Sequence, residues 1–234
     1  MKRLQDTPDR PNPQNLTGWR IAVLTLMVSV VFTLTLLLLA LAGVSDPRPL
    51  GARVIDDTFQ RTDGWIEPGK NAAKQANFAR GVLSVGPQTR MLLTSLYTLH
   101  PPGSLIVSAR QIDGDMTAGY GLWWGEHGSA QYAIGINSDG YLAVLKIEAD
   151  RTTGLRPWEL FPHVKGMNTI NKFQADIGMG RVTIWLNDER VIEFEQTPAH
   201  TLMFGIYAET TGPTEARFRF EQISVWETNS GHLP

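Results

Sequence analysis

An uncharged apolar stretch near the N-terminus constrains this chain more than any other feature of its sequence. From Ile21 to Val44, the 24 residues IAVLTLMVSVVFTLTLLLLALAGV carry no charge. A helix of that length spans roughly 36 Å at about 1.5 Å per residue, and a bilayer's hydrocarbon core is about 30 Å thick. The stretch therefore predicts a transmembrane helix, residues 21–44, in contact with the lipid bilayer. Its hydroxyl side chains are expected to bond back to carbonyl groups one turn earlier. They are Thr25, Ser29, Thr33 and Thr35.

Basic residues around this stretch predict its orientation. Lys2, Arg3, Arg10 and Arg20 precede it, whereas Arg48 and Arg53 follow. The excess of basic residues before the span predicts a cytoplasmic N-terminus and an extracytoplasmic C-terminal domain, in a single-pass protein of the cell membrane. The alternative is a signal peptide cleaved after Ala42, in ALA, which would release a secreted protein. The apolar run exceeds the 7 to 15 residues usual for a signal peptide, which favours the uncleaved anchor.

Composition limits the domain organisation and the partners of the rest of the chain. The tail, residues 1–20, is polar, Pro-rich and expected to be disordered, and residues 45–53 form a Pro and Gly linker. A folded domain is expected over residues 54–227, followed by a C-terminal tail, residues 228–234. Cysteine is absent, which excludes disulfides, thiolate nucleophiles and cysteine zinc ligands. A net charge of −2 without a basic patch excludes nucleic acid as a partner. A cysteine-free exported domain behind a short basic tail points to a bacterium.

Short alternating or apolar runs separated by turn residues fill the chain after Val54, which predicts an all-β domain. A dozen or so strands at this spacing indicate a two-sheet sandwich. The expected strands are 53–59, 77–85, 90–97, 104–112, 119–125, 131–137, 141–148, 157–161, 171–179, 181–187, 190–195, 202–209 and 216–227. Tight turns are expected at Asp139–Gly140 and at Asn187–Asp188, since these residue types tolerate positive φ.

Side chains on a strand alternate between its faces, so the segment Gly119 to Glu148 can be divided into two sides. Trp124, Ile134 and Ile136 are expected in the core. Trp123 falls on the opposite side, among glycines and Ala133, where it either stands exposed as a platform for the C–H face of a sugar or is simply packed. In the third strand of this segment, 141–148, the larger apolar side is expected to hold Tyr141, Ala143, Leu145 and Ile147.

The ligand-binding hypothesis extends from Trp123 to five further residues. Trp158, in the Pro-flanked segment RPWELFP, is the second candidate platform. Tyr132 and Tyr141 would add stacking rings, although their alternation places them with the apolar sets. Glu126 and Lys146 would supply polar contacts to a sugar.

The order of several motifs resembles a known superfamily. DDTFQRTDGW opens the domain, and GYGLWWGEHGSAQYAIGINSDGYLAVLKIE, TIWLNDERVIEF and FRFEQISVWE follow. This order resembles the concanavalin A-like lectin/glucanase sandwich, and within it the bacterial branch described as 3-keto-disaccharide hydrolase or family 16 glycoside hydrolase-like. The resemblance implies a two-sheet antiparallel jelly-roll fold over about residues 54–227. It does not carry one function, because such sandwiches host lectins, glucanases and structural modules.

Catalysis of the glucanase type requires two carboxylates about 5 to 5.5 Å apart. The family signature is Glu-x-Asp-x-x-Glu, and the nearest segment, EADRTT from Glu148 to Thr153, places Glu148 and Asp150 on one strand face but has Thr153 instead of the second glutamate. The acid pair is incomplete, so glucanase activity is not expected. The five histidines show no metal-ligand spacing, and no nucleophile elbow is present.

Calcium is the one cofactor that the resemblance suggests, because related sandwiches bind it near their terminal strands with oxygen ligands. Asp56, Asp57 and Glu221 would meet if the first and last strands pair.

Three functional hypotheses remain. The first is a membrane-anchored, non-catalytic extracytoplasmic module that binds a glycan or a cell-envelope polymer. The second is a structural or assembly subunit with a membrane-protein partner. The third is a glycoside-processing hydrolase, against which the incomplete acid pair counts.

Overall fold

The computed structural model describes residues 13–41, 46–60, 65–66, 76–148 and 151–228. Contacts divide the chain into two units, Met1–Asp46 and Pro47–Pro234. The first twelve residues of the expected tail, the Ala42 cleavage point and the C-terminal tail from residue 229 lie outside the described residues.

The described residues of the first unit form one helix, α1, over Pro13–Leu41. Its segment Gly18–Leu39 has a mean hydropathy of 2.7 and is long enough to cross a membrane, a property that an N-terminal signal sequence shares. Three threonine hydroxyls donate to carbonyl oxygens four residues earlier, as expected: Thr25 to Ile21 (2.9 Å), Thr33 to Ser29 (2.9 Å) and Thr35 to Val31 (2.8 Å).

The second unit is all-β, as the alternating sequence predicts. Its described residues form fifteen strands: β1 Ala52–Asp57, β2 Trp65–Ile66, β3 Ala76–Ala79, β4 Val82–Val85, β5 Arg90–Leu99, β6 Gly103–Gly114, β7 Gly119–Gly125, β8 Gln131–Ile136, β9 Tyr141–Glu148, β10 Arg151–Leu160, β11 Asn171–Ile177, β12 Arg181–Leu186, β13 Glu189–Glu195, β14 Leu202–Glu209 and β15 Ala216–Glu227.

The strands form two antiparallel sheets, and the fold is a jelly-roll sandwich. The eight-stranded sheet has the order β13-β12-β11-β6-β15-β4-β3, with β1 also pairing with β15. The seven-stranded sheet has the order β10-β9-β8-β7-β14-β5-β2. The first and last strands of the domain therefore pair, with Asp56 opposite Ser224 and Asp57 opposite Ile223.

The core lies between the two sheets and is built from alternate residues of each strand. Trp124, Ile134 and Ile136 are fully buried there, as predicted. In β9 the core residues are Leu142 and Val144, which pair with Ile136 and Ile134 of β8. The side of β9 that carries Ala143, Leu145 and Ile147 therefore faces outward.

A second apolar cluster covers the outer face of the seven-stranded sheet. This outer cluster consists of Trp123, Ala133, Ala143, Leu145 and Tyr207, all at most 5% exposed. Further apolar side chains pack against it: Leu92, Ile147, Trp158 and Met203. The sheet is therefore apolar on both faces, which the glycines and alanines in the sequence did not indicate.

Two segments differ from the expected strands. The predicted strand 77–85 is a hairpin, because Arg80 and Gly81 adopt positive φ values of 49° and 76° and turn the chain between β3 and β4. Strand β10 begins at Arg151, six residues before the expected start, and its register with β9 shifts twice, between Gly154 and Arg156 and between Arg156 and Glu159.

Both expected tight turns are present. Gly140 has φ 92° and ends the turn 137–140, whereas Asn187 and Asp188, the two residues between β12 and β13, have φ 51° and 70°, the left-handed values that a two-residue hairpin turn requires. Asn187 also organises its surroundings. Its side chain accepts from the amide of Lys172 (2.9 Å) and donates to Asn171 (2.8 Å).

Candidate functional site

Three of the six predicted binding residues line one cleft at the end of the sandwich. Glu126, Tyr132 and Lys146 come from the loop after β7, from β8 and from β9, and they border a space of about 180 Å³. Since one water molecule occupies about 30 Å³ of the liquid, this space would hold about six. The remaining lining residues are Ser129, Ala130, Gln196, Thr197 and Ala199.

The cleft lies between the ends of the two sheets. The turn from β7 to β8 is closed by the amide of Ser129, which donates to the carbonyl of Glu126 (3.2 Å), and Gly128 supplies a positive φ of 75°. Gln196 and Thr197 follow β13 of the opposite sheet. Residues far apart in sequence therefore form this cleft, which explains why sequence reasoning found only one side of it.

Aromatic rings form its inner wall. Tyr132 stacks on Trp124 with ring centroids 5.9 Å apart at an interplanar angle of 17°, and it lies 5.4 Å from the ring of Phe194. The indole nitrogen of Trp124 donates to Oε1 of Gln196 (3.0 Å), which holds that amide at the cleft. Tyr132 itself is 9% exposed, so it does not present an open ring face as a platform.

An ion pair lies on the other side of the cleft. Lys146 Nζ lies 2.7 Å from Glu148 Oε1, and both side chains are partly exposed. The hydrogen bond and the charge of Glu148 raise the pKa of Lys146, and Lys146 in turn lowers the pKa of Glu148. Both groups therefore stay charged near neutral pH, and together they carry no net charge.

A second groove adjoins the cleft. It has a volume of about 530 Å³ and is lined by Gly128, Ser129, Ala130, Gln131, Ile147 and Glu148. Ser129 and Ala130 border both spaces, so the cleft and the groove lie on either side of the start of β8. A ligand longer than the cleft has a polar surface to continue along.

Of the two alternatives for Trp123, an exposed platform or a packed ring, the structure shows the packed ring. Trp123 lies on the outer side of β7, as predicted, but only 1% of it is exposed. Its indole nitrogen donates to the carbonyl of Leu93 (3.1 Å), and the ring lies over Gly205, where a Cβ would come within 2.6 Å of that nitrogen. Tyr207 of β14 packs in the same cluster, and only the folded sheet brings it there. Trp123 is therefore a packing residue.

The other two predicted aromatics lie away from the cleft. Trp158 is partly buried against the outer cluster, with its ring tip over Gly119 and Gly135. Tyr141 is 38% exposed and begins β9, at the opposite end of that strand from Lys146. The single binding surface expected from all six residues is therefore not formed.

The proposed calcium ligands are not gathered either. Although β1 pairs with β15, Asp56 binds Arg53 (2.7 Å), while Asp57 accepts from the amide of Phe59 (2.7 Å). Glu221 of β15 pairs with Arg110 of β6 (2.9 Å) and with Arg219 of its own strand (3.2 Å). Within the described part of the chain, no group of three or more carboxylates or histidines is placed to hold a metal ion.

The described residues of the glucanase-like segment lie on two different strands, with Glu148 in β9 and Thr153 in β10. β9 ends at Glu148 and β10 begins at Arg151, while Asp150 lies outside the described residues. Glu148 is engaged by Lys146 (2.7 Å). Asp113, on β6, pairs with Arg217 (2.6 Å), and this hydrogen bond lowers the pKa of Asp113.

No protein-family model and no curated protein sequence matches this chain. Solved structures share its fold. The endo-β-1,3-glucanase of Pyrococcus furiosus aligns with a TM-score of 0.55 at 10% identity, over 79% of this chain and 100% of that one. The carbohydrate-binding module CBM66 of Bacillus subtilis aligns with a TM-score of 0.55 at 13% identity, over 70% and 96%.

An endo-β-galactosidase of Clostridium perfringens that releases GlcNAcα1-4Gal aligns with a TM-score of 0.60 at 8% identity, over 77% of this chain and 64% of that one. At such identities the likeness shows the fold alone. It does not distinguish the bacterial 3-keto-disaccharide hydrolase branch from the rest. The domain shares the two-sheet sandwich fold of these solved structures.

Proposed function

We propose that this protein is a membrane-anchored, extracytoplasmic module that binds a glycan or a cell-envelope polymer in the cleft of Glu126, Tyr132 and Lys146. The observation that carries the proposal is the convergence of these three side chains, selected from the sequence as sugar contacts, on one cleft. Solved proteins of the same fold that bind or cleave carbohydrates add support.

The chemistry of the cleft suits sugar hydroxyls. A hydroxyl both donates and accepts, and the cleft offers a carboxylate, an ammonium, an amide and the hydroxyls of Ser129 and Thr197. The Lys146–Glu148 pair has no net charge, which favours a neutral polysaccharide over a strongly anionic one as the ligand. The adjoining groove would accept the next residues of a polymer.

We propose binding without bond cleavage. Retaining hydrolysis needs two carboxylates about 5 to 5.5 Å apart, and Thr153 replaces the second glutamate of the expected motif. Glu148 is already engaged by Lys146.

The helix Gly18–Leu39 supports anchoring, and the basic residues before it support a cytoplasmic N-terminus. Cleavage after Ala42 remains the alternative that yields a secreted protein. N-terminal sequencing of the mature protein separates the two, because an anchored chain keeps its basic tail and a cleaved chain starts after Ala42.

Binding is tested by presenting residues 47–234, one of the two compact units, to a broad glycan array. We expect at least one glycan class to bind, and Lys146→Gln to weaken binding at least tenfold. Lys172→Gln is the matched control, since Lys172 forms an equally short ion pair, 2.7 Å to Asp188, on the other sheet. A folded domain that binds no glycan would refute the proposal and favour the assembly-subunit hypothesis. Release of a cleaved product would favour the hydrolase hypothesis.

A further inference from the structure

A second cavity lies at the opposite end of the seven-stranded sheet from the cleft. It has a volume of about 320 Å³ and is lined by Gln88, Thr89, Arg90, Glu209, Thr210 and Thr211. Glu209 pairs with Gly119 at the start of β7, whereas Glu126 of the cleft follows the end of β7. Six residue steps at about 3.3 Å each separate these two ends by about 20 Å, so the two sites are distinct.

A buried carboxylate and its guanidinium partner form the polar centre of this cavity. Arg90 Nε lies 2.9 Å from Glu209 Oε2, and the side chain of Glu209 is 8% exposed while that of Arg90 is 42% exposed. Arg90 Nη1 also donates to Thr152 Oγ1 of β10 (2.8 Å). The carboxylate is therefore held in place, and the guanidinium bridges to the edge strand of the sheet.

Neighbouring rings fix the position of Glu209. A Cβ built on Gly119 would lie 3.2 Å from Glu209 Cγ and 3.1 Å from Trp158 Cη2, so the tip of Trp158 packs beside the Glu209 side chain. Tyr207 is buried next to the ion pair. Burial and then the charge of Glu209 raise the pKa of Tyr207 well above its ordinary value, so this phenol stays neutral.

The rim of the cavity contains a strained residue. Gln88 adopts φ 48°, which a residue with a side chain rarely adopts, and its amide donates to the carbonyl of Gly212 (3.3 Å). Gln88 therefore turns the chain at the rim, directly before Thr89 and Arg90 of the lining.

The charges of the lining select the class of ligand. A paired carboxylate and guanidinium carry no net charge, so they attract neither an anion nor a cation strongly. They place strong acceptors beside strong donors, an arrangement that matches the neighbouring hydroxyls of a sugar. We propose that this cavity is a binding site for a neutral sugar residue, whose hydroxyls are bound by Arg90 and Glu209.

The test uses the full chain in micelles of a detergent without a sugar headgroup. Saturation-transfer NMR would measure binding of D-glucose, D-galactose and D-mannose, with D-glucuronate and D-glucosamine as charged analogues. We expect at least one neutral sugar to bind, and its charged analogue to bind at least tenfold more weakly.

Two variants assign the binding to this cavity. Glu209→Gln keeps the shape and a hydrogen bond to Arg90 and is expected to weaken binding at least tenfold. Thr211→Trp fills the cavity from an exposed position and is expected to abolish binding, which keeps the test valid if the buried substitution impairs folding. Glu193→Gln, in the ion pair with Arg181 on the other sheet (3.1 Å), is the matched control and should leave binding unchanged.

Three results would overturn the proposal. They are the absence of binding by every neutral sugar in the panel, equal binding by Glu209→Gln and Thr211→Trp, and equal binding of the charged analogues. A loss of binding in Lys146→Gln with none in Glu209→Gln would place the sugar in the cleft and also overturn it. The two proposals therefore fail separately.

Discussion

Replacing Trp123 by alanine tests whether this ring packs the outer face or binds a ligand there. The ring is 1% exposed and belongs to the outer cluster with Tyr207 and Leu145. A buried tryptophan removes up to about 250 Å² from water, which at about 25 cal/mol per Å² gives an upper bound of about 6 kcal/mol. Measured losses for such truncations are about 3–5 kcal/mol, so we expect Trp123→Ala to lower the free energy of unfolding by about 4 kcal/mol.

The assay is urea unfolding of residues 47–234, followed by circular dichroism, with the free energy taken from the midpoint and slope. Trp123→Phe keeps a ring but loses the hydrogen bond to Leu93 O, and we expect it to cost about 1–2 kcal/mol. Tyr97→Ala is the control, because Tyr97 is 49% exposed and its loss should stay within about 0.5 kcal/mol. A loss below about 1 kcal/mol for Trp123→Ala would contradict the packing role and restore the exposed-platform hypothesis.

Three further predictions concern stability. Gly135→Ala would place a Cβ 2.7 Å from Tyr207 Cε1 and 3.3 Å from Trp158 Cη2, and we expect it to lower the free energy of unfolding by about 1–3 kcal/mol in the same urea assay. Burial raises the pKa of Tyr120 to about 12, whereas the pKa of an unfolded tyrosine is about 10. The stability that comes from keeping the Tyr120 phenol protonated is therefore complete below pH 10 and is lost as the pH rises towards 12. The unfolded state then binds fewer protons, so Tyr120 should contribute a fall of up to about 1.4 kcal/mol per pH unit, and Tyr120→Phe should flatten the measured slope by that amount. Asn187→Ala and Asn187→Gly both remove the hydrogen bonds to Lys172 and Asn171. Because glycine tolerates the φ of 51° and alanine does not, Asn187→Ala should lower the free energy of unfolding by about 1 kcal/mol more than Asn187→Gly. Equal losses would contradict a conformational contribution.

The fold was largely predictable because alternation and turn residues are local signals. Asp139–Gly140 and Asn187–Asp188 identified their hairpins. The prediction that Trp124, Ile134 and Ile136 face the core was also correct. The early start of β10 was missed, because its two register shifts interrupt the alternation that reveals a strand.

The site was only partly predictable because its two sides come from different sheets. Glu126, Tyr132 and Lys146 lie within one continuous segment, whereas Gln196 and Thr197 enter the cleft from the opposite sheet. The burial of Trp123 depends on Tyr207, 84 positions later in the chain, and the Arg90–Glu209 pair joins residues 119 positions apart. Such pairings follow from strand order, which periodicity does not encode.

Glycan binding in the cleft can be tested by comparing two lysine variants on the same glycan array. Lys146→Gln and Lys172→Gln remove equivalent 2.7 Å ion pairs, one at the cleft and one on the other sheet. We expect the wild-type domain and Lys172→Gln to bind the same glycan class, and Lys146→Gln to bind it at least tenfold more weakly. Equal binding by all three proteins, or none by the folded wild-type domain, would contradict this expectation.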